Sequence, residues 1–204
     1  LFNVLIFDLD GTLLDSKNGI LSSLEYVLVN NSPEYLPFLN ESIIGPPIKK
    51  ILECFVEDPQ LVSILSEKFR SHYDSIGFLE TKLFDGVHDG LKSLQKSQLY
   101  ISTNKPKKVT SKILSKLEID LYFNRVLSLD SASYSNKTEI VRSIKKMNNS
   151  NKITVVGDSL DDYYSAEGNN YEFIFCKYGY GNYPTNATNL TSVNSSIELM
   201  ALLN

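Results

Sequence analysis

Long hydrophobic runs are missing from this sequence. The chain of 204 residues begins with apolar residues, but Asp8 and Asp10 interrupt them long before they could cross a bilayer. No basic segment with a cleavage site precedes that start, so we expect neither a targeting segment nor a membrane partner. With 42% hydrophobic and 22% charged residues, the chain is expected to bury a proper core.

Cysteine is also scarce. Cys54 and Cys176 are the only two cysteines, and they lie far apart in the sequence without the spacing of metal ligands. Paired cysteines are typical of oxidising compartments, so their scarcity favours a cytoplasmic protein with reduced thiols. We expect both thiols to be buried as small hydrophobic groups.

Positive charge is not in surplus. The chain has 20 Lys and Arg residues against 24 Asp and Glu residues, which gives a net charge of -4 and an isoelectric point near 5.3. Binding to a phosphate backbone requires clustered Lys and Arg side chains. We therefore expect no nucleic-acid partner, whereas a small phosphate chelated by a metal remains compatible.

Two acids follow the apolar start of the chain. Residues 1–6 are typical of a buried strand, and Asp8 and Asp10 come at its carboxyl end, where open α/β sheets hold their ligands. Carboxylates at positions i and i+2 point the same way and either repel each other or share a cation. Gly11 lets the backbone amides turn towards an anion. The segment predicts a site for a metal ion and a phosphate.

The spacing of apolar residues changes along the chain. Helical spacing predicts helices over residues 20–29, 47–56 and 59–73. We therefore expect residues 16–83 to be all-helical, with Ser16 as a helix N-cap. Residues 182–196 are polar and expected to be rich in loops.

Helices and strands alternate after residue 83. Helices are predicted over residues 88–96, 107–117, 137–147 and 159–169, and strands over residues 99–103, 125–129, 152–156 and 172–177. Such alternation indicates an α/β fold with a doubly wound parallel sheet. We expect a core domain of residues 1–15 and 84–204, with residues 16–83 inserted as a helical cap over the strand ends.

Further polar groups follow the predicted strands. Thr103 and Asn104 end one strand, and their hydroxyl and backbone amides can donate to phosphate oxygens. Lys137 opens a helix and could bring a cation to the same edge. Asp158 follows another buried strand, and carboxylates at Asp8 and Asp158 describe a hard-cation site suited to Mg²⁺.

In this order the segments resemble the four short motifs of the haloacid dehalogenase superfamily of hydrolases. The motifs are Asp8-Leu9-Asp10-Gly11-Thr12, Thr103-Asn104, Lys137, and Gly157-Asp158-Ser159-Leu160-Asp161-Asp162. The resemblance covers essentially the whole chain. The helical insertion is similar to the small cap of the phosphoglycolate phosphatase-like branch, which implies a Rossmann-like core.

The resemblance implies roles for four acids. Asp8 would attack phosphorus and form an aspartyl-phosphate. Asp10 would protonate the leaving alcohol and then deprotonate water. Asp8, the Asp10 carbonyl and Asp158 would hold Mg²⁺, and Asp162 would orient Lys137 or a water on the metal.

It also implies a set of groups around the phosphate. Thr103, Lys137 and the Gly11 amide would cradle the transferring group, with Asn104 beside them. Gly45, in a Gly-Pro turn of the cap, is a candidate for reading the leaving group.

The function expected from these features is hydrolysis of a small phosphomonoester. Phosphoglycolate, a nucleoside monophosphate and a small sugar phosphate are the leading substrates, and the protein is expected to be a monomer or a homodimer. A sugar phosphomutase on the same scaffold and a receiver-type signalling domain with a phosphorylated Asp are the alternatives. A receiver needs no helical lid and no second acid at the position of Asp10.

Overall fold

Parallel strands form the central sheet of the protein. The computed structural model describes residues 4–132, 134–148, 152–185, 187 and 190–204. The strands, numbered along the chain, are β1 (Val4–Phe7), β2 (Leu14–Asp15), β3 (Lys82–Leu83), β4 (Gln98–Thr103), β5 (Arg125–Ser128), β6 (Ile153–Gly157), β7 (Glu172–Cys176) and β8 (Thr191–Val193). Apart from β2 and β3, they lie parallel in the order β5-β4-β1-β6-β7-β8. The order changes direction between β1 and β6, which is where open α/β sheets bind ligands.

Helices cover both faces of this sheet and form the insertion. They are α1 (Lys17–Leu28), α2 (Ile48–Glu53), α3 (Pro59–Ser75), α4 (Val87–Ser93), α5 (Lys107–Lys116), α6 (Lys137–Lys146), α7 (Leu160–Glu167) and α8 (Ser196–Leu203). Short 3-10 helices lie at Pro33–Phe38, Glu41–Ile43, Gly77–Glu80, Asp120–Tyr122 and Leu129–Ser131. The predicted helices and strands are present, with ends that differ by a few residues. Residues 1–3 of the first predicted strand lie outside the described residues.

The two faces of β1 explain why its sequence is apolar throughout. Val4 and Ile6 point to one face and pack in a cluster with Ile140 of α6. Leu5 and Phe7 point to the other face, in a cluster that continues into the helical insertion. A strand buried on both sides needs apolar residues at every position, because successive side chains alternate between the faces.

The insertion meets the core at a short pair of strands. β2 pairs with β3 in antiparallel register, with Leu14 opposite Leu83 and Asp15 opposite Lys82. The prediction that residues 16–83 are all-helical is therefore wrong at its last two residues, which form a strand. The pair lies at the predicted domain boundaries, which stay a prediction.

The start of α1 is capped by a distant residue. Ser16 stands at the N-cap position as predicted, but its side chain makes no capping hydrogen bond. The Tyr180 hydroxyl instead accepts hydrogen bonds from the amides of Ser16 (2.9 Å) and Lys17 (3.3 Å), and donates to Asp15 Oδ1 (2.7 Å). The core thus supplies the cap of the first inserted helix.

The end of the chain is more regular than the sequence predicted. Residues 182–196 were expected to be loop-rich, yet β8 extends the sheet beside β7. The following helix, α8, was not predicted. Its N-cap is Ser195, whose side chain accepts a hydrogen bond from the Glu198 amide, and a serine followed by Glu three residues later is a helix-start signal. Residues 186, 188 and 189 lie outside the described part.

The burial of the two cysteines agrees only in part with the prediction. Both thiols are free, and Cys176 is buried as predicted, but Cys54 is exposed. Cys54 follows the end of α2, where its thiol donates to the Lys50 carbonyl at 3.4 Å. In the described part of the chain no helix has the length and apolarity needed to cross a membrane.

Gly19 provides a test of the packing within the insertion. A Cβ atom at Gly19 of α1 would collide with the carbonyl oxygen of Gly77. Alanine favours a helix by roughly 1 kcal/mol over glycine. If the space beside Gly19 were open, Gly19→Ala would therefore stabilise the protein. We expect Gly19→Ala to lower the free energy of unfolding in urea by about 1–3 kcal/mol, because overpacking outweighs that preference.

Glu25→Ala is the matched control, since Glu25 is exposed on the same helix. It should change the free energy of unfolding by roughly 0.5 kcal/mol or less. A Gly19→Ala variant as stable as the wild type would contradict this account of the packing.

Candidate active site

Asp8 extends beyond the carboxyl end of β1 into a buried ion-pair network. Its amide donates to the Val156 carbonyl of β6 at 2.9 Å, which fixes its position between the two strands. The Lys137 ammonium lies 2.6 Å from Asp8 Oδ1 and 2.7 Å from Asp162 Oδ1. All three side chains are at least nine-tenths buried. Lys137 therefore joins two carboxylates that lie far apart in the sequence.

Asp158 completes a group of three buried carboxylates. Asp8, Asp158 and Asp162 each offer an oxygen atom, and these oxygens lie within 4.8 Å of one another. Burial raises the pKa of Asp8 well above its usual range, and repulsion from Asp162 and Asp158 raises it further. The Lys137 ammonium lowers this pKa, but by less than burial raises it. Burial and the Asp162 carboxylate raise the pKa of Asp158 to about 6. One ammonium does not balance three carboxylates.

Hydrogen bonds hold Asp158 in place. Its Oδ2 accepts from the amides of Tyr180 (2.7 Å) and Gly181 (3.1 Å), and its Oδ1 accepts from the Thr12 hydroxyl (3.3 Å). Oxygen-only donors and surplus negative charge are the features that favour binding of a hard divalent cation. The residues present therefore fit a divalent metal, which Asp8 and Asp158 would hold.

Gly11 brings the first loop close to that carboxylate. Its φ of +86° lies in the left-handed region, and an added Cβ would collide with the Asp158 carboxylate. Its amide donates to the Leu14 carbonyl at 2.9 Å, so its predicted contact with phosphate requires this bond to open and stays a prediction. The amides of Leu9 and Asp10 have no hydrogen-bond partner in the described part of the chain.

Asp10 is paired with a lysine that the sequence analysis did not assign. Lys105 Nζ donates to both carboxylate oxygens of Asp10, at 3.0 and 2.9 Å, and lies 4.5 Å from the centre of the Tyr73 ring. Burial alone would lower the pKa of Lys105, but the Asp10 carboxylate and Tyr73 together outweigh burial and raise that pKa. The available signal was its place directly after Thr103 and Asn104.

Thr103 and Asn104 lie at the same edge of the sheet. The Thr103 hydroxyl at the end of β4 accepts a hydrogen bond from the Lys105 amide at 3.1 Å. Asn104 Nδ2 donates to Asp161 Oδ2 at 3.1 Å and to the Gly45 carbonyl at 3.4 Å. Asn104 thus connects α7 of the core with the Gly-Pro turn of the cap, and it brings Gly45 to the edge of the site.

A cavity of about 120 Å³ opens between the core and the cap. Asp10, Asn104 and Lys105 line it from the core, and Gly45 lines it from the cap. Asp8 is not among the lining residues, so the cavity lies on the Asp10 side of the site. The predicted site residues thus fall into two connected groups. Asp8, Gly11, Lys137, Asp158 and Asp162 surround the carboxylate cluster, and Asp10, Gly45, Thr103 and Asn104 lie at or beside the cavity.

Known proteins share this fold and sequence pattern. The family of haloacid dehalogenase-like hydrolases matches residues 5–176. A 5'-nucleotidase of Pseudomonas aeruginosa is 26% identical over 189 residues, which cover 87% of this chain and 83% of that protein. A phosphoglycolate phosphatase of Colwellia psychrerythraea is 29% identical over 192 residues, covering 87% and 85% of the two chains.

Solved structures agree with these sequence matches. The crystal structure of a predicted phosphatase from Clostridium acetobutylicum superposes with a TM-score of 0.85 and 32% identity, covering 100% of this chain and 98% of the other. The predicted α/β fold and the predicted family resemblance are both confirmed. The chain belongs to the haloacid dehalogenase-like hydrolases.

Proposed function

We propose that this chain is a Mg²⁺-dependent phosphatase that hydrolyses a small phosphomonoester through an aspartyl-phosphate on Asp8. The observation that carries the proposal is the meeting of Asp8, Asp158, Asp162 and Lys137 at one edge of the sheet, with Asp10 beside them. The names of the phosphatase and nucleotidase relatives support it. Of the cations that suit oxygen ligands, Mg²⁺ also binds substrate phosphates together with one or two carboxylates.

In the first half of the reaction, a carboxylate oxygen of Asp8 attacks phosphorus. The bond between phosphorus and the ester oxygen breaks, and Asp10 donates a proton to the departing alcohol. Lys137 holds the Asp8 carboxylate in a fixed orientation through its 2.6 Å hydrogen bond. Bound Mg²⁺ supplies positive charge that offsets the charge on the phosphate oxygens.

In the second half, water attacks the phosphorus of the aspartyl-phosphate. Asp10 removes a proton from that water, the bond between phosphorus and Asp8 breaks, and inorganic phosphate leaves. Lys105 donates to both oxygens of Asp10 and so fixes the orientation of this side chain beside the reacting atoms. Lys105 is therefore a positioning residue for Asp10.

The phosphate oxygens need donors throughout both halves. Thr103 and Lys137 supply a hydroxyl and an ammonium, and the amides of Leu9 and Asp10 have no partner in the described chain. Four donors of this kind stabilise the developing charge without having to reorganise. The Gly11 amide joins them only if its bond within the turn opens.

The first prediction about the proposed function concerns the nucleophile. Asp8→Asn removes the attacking carboxylate but keeps its shape, so we expect release of inorganic phosphate to fall by at least about a thousandfold. Phosphate release from a panel of monoesters in Mg²⁺ is the measurement. Asp120→Asn, which changes an exposed acid, is the matched control and should keep wild-type activity. Near wild-type turnover in Asp8→Asn would refute the assignment.

The second prediction concerns Asp10. Asp10→Asn cannot deprotonate water, so we expect breakdown of the aspartyl-phosphate to slow by roughly 10²–10⁴-fold. Acid quenching after mixing with radiolabelled ester should trap labelled protein in Asp10→Asn and far less in the wild type. Unimpaired hydrolysis would count against the role of Asp10, and an isomerised ester in place of free phosphate would indicate a phosphomutase.

The third prediction concerns metal and pH. Because the pKa of Asp158 is raised from 3.8 to about 6, protonation of this carboxyl stabilises the metal-free fold below about pH 4. That contribution is lost as the pH rises to about 6 and above. Mg²⁺ competes with the same protons, so its stabilising effect should be small at pH 4.5 and reach its full value near pH 7.5.

Melting temperatures with Mg²⁺ and with a chelator, compared at both pH values, measure this effect. Asp158→Asn should remove most of the Mg²⁺-dependent increase in melting temperature. An increase that is equal at the two pH values would contradict the prediction.

A further inference from the structure

We propose that the cavity between core and cap selects phosphate esters whose leaving group is a compact, carbon-rich body, in preference to polyhydroxylated or carboxylated leaving groups. The inference rests on the proposed phosphatase activity and goes beyond it by naming the class of leaving group.

The position of the cavity assigns it to the leaving group. Asp10, the residue proposed to protonate the departing oxygen, lines the cavity, whereas Asp8 does not. An ester with its phosphorus at Asp8 and its bridging oxygen at Asp10 must extend from Asp10 into this space. Asn104 and Lys105 line the same side and close the cavity towards the core.

The walls are predominantly apolar. Aliphatic and aromatic side chains line the cavity from the cap and from α5; these include Ile44, Ile48, Ile51, Phe69 and Val109. The rings of Phe69 and Tyr73 also lie nearly parallel on one face of α3, with centroids 5.7 Å apart and an angle of 6° between their planes. Apolar surface of this kind stabilises a leaving group in proportion to the apolar area that it buries.

The charged groups of the cavity balance one another. Asp10 and Lys105 are bonded to each other, and Arg70 and Asp74 supply one further charge of each sign from α3. A carboxylate or second phosphate on the leaving group would therefore find at most one surplus positive charge, that of Lys105 when Asp10 carries its proton, and this ammonium is already bonded to Asp10. This argues against phosphoglycolate, whose leaving group carries a carboxylate.

Apart from Arg70 and Asp74 of α3, few groups in the cavity could replace the water around a polyol. The Asn104 amide already donates to Asp161 and Gly45, and the Tyr73 hydroxyl lies 3.3 Å from the Thr81 hydroxyl. Hydroxyl groups buried without hydrogen-bond partners cost free energy, so a sugar would enter this space less favourably than a hydrocarbon. A cavity of roughly 150 Å³ lined by aliphatic and aromatic residues holds benzene, so about 120 Å³ suits a somewhat smaller body such as a short branched chain.

The test compares esters of primary alcohols with the full chain in Mg²⁺. We expect kcat/KM for 2-methylpropyl phosphate, whose leaving group is a short branched chain, to exceed the values for ribose 5-phosphate and phosphoglycolate by at least about tenfold. Equal values, or a preference for either polar ester, would overturn the inference.

Ile48→Asn places an amide in the apolar wall. Ile48 is half-buried on α2, so the change should be tolerated by the fold, which circular dichroism would check. We expect kcat/KM for 2-methylpropyl phosphate to fall about tenfold, mainly through KM, and the value for ribose 5-phosphate to change by less than about threefold. Ile48→Ala, which adds no polar group, should shift the preference in the same direction by a smaller factor.

Lys49→Asn is the matched control, because Lys49 is exposed on the same helix and does not line the cavity. It should leave both kcat/KM values unchanged. An equal loss on both esters in Ile48→Asn would also overturn the inference.

The two proposals fail in different ways. If the folded, Mg²⁺-loaded chain releases phosphate from none of the esters, the proposed function fails and this inference fails with it. If it releases phosphate from all of them without preference, the proposed function stands and the selection by the cavity is wrong.

Discussion

One buried ammonium among three buried carboxylates is the constraint on which this site depends. Lys137 bonds to Asp8 and Asp162 at 2.6 and 2.7 Å, and Asp158 lies within the same group. Breaking a buried pair is costly because it leaves an uncompensated charge, so Lys137 ties α6 to β1 and α7. The negative charge that it does not balance gives the site its capacity for a cation, and the same ammonium can donate to a phosphate oxygen.

Tyr180 connects the cap to this charged cluster. The Tyr180 amide donates to Asp158, and its hydroxyl binds the start of α1 and the Asp15 carboxylate. A residue of the loop after β7 therefore touches both the carboxylate cluster and the point where the chain enters the cap. Asn104 makes a second connection at the cavity. Residues of the core and of the insertion thus line the cavity together, and Asp10 places it beside the carboxylate cluster.

Much of the fold could be predicted, because its strongest signals are local. Buried strands such as β6 are short apolar runs, and the helices show apolar residues at helical spacing. The prediction failed where that signal was weak. β8 has three residues, of which Val193 alone is buried, and it becomes a strand because β7 offers an edge to pair with. β3 is likewise a strand because β2 lies opposite it.

The sequence by itself determined which chemical groups are present and at which ends of the strands they lie. Asp8, Thr103 and Asp158 after apolar runs, with Lys137 at the start of a helix, sufficed to predict a phosphate and metal site at one edge of a parallel sheet. Only the tertiary structure decided which groups are partners. Lys105 binds Asp10 across 95 residues, and Tyr180 caps a helix 164 residues before it. Local sequence patterns do not indicate such pairs, because the pairs arise from the packing of elements that are distant along the chain.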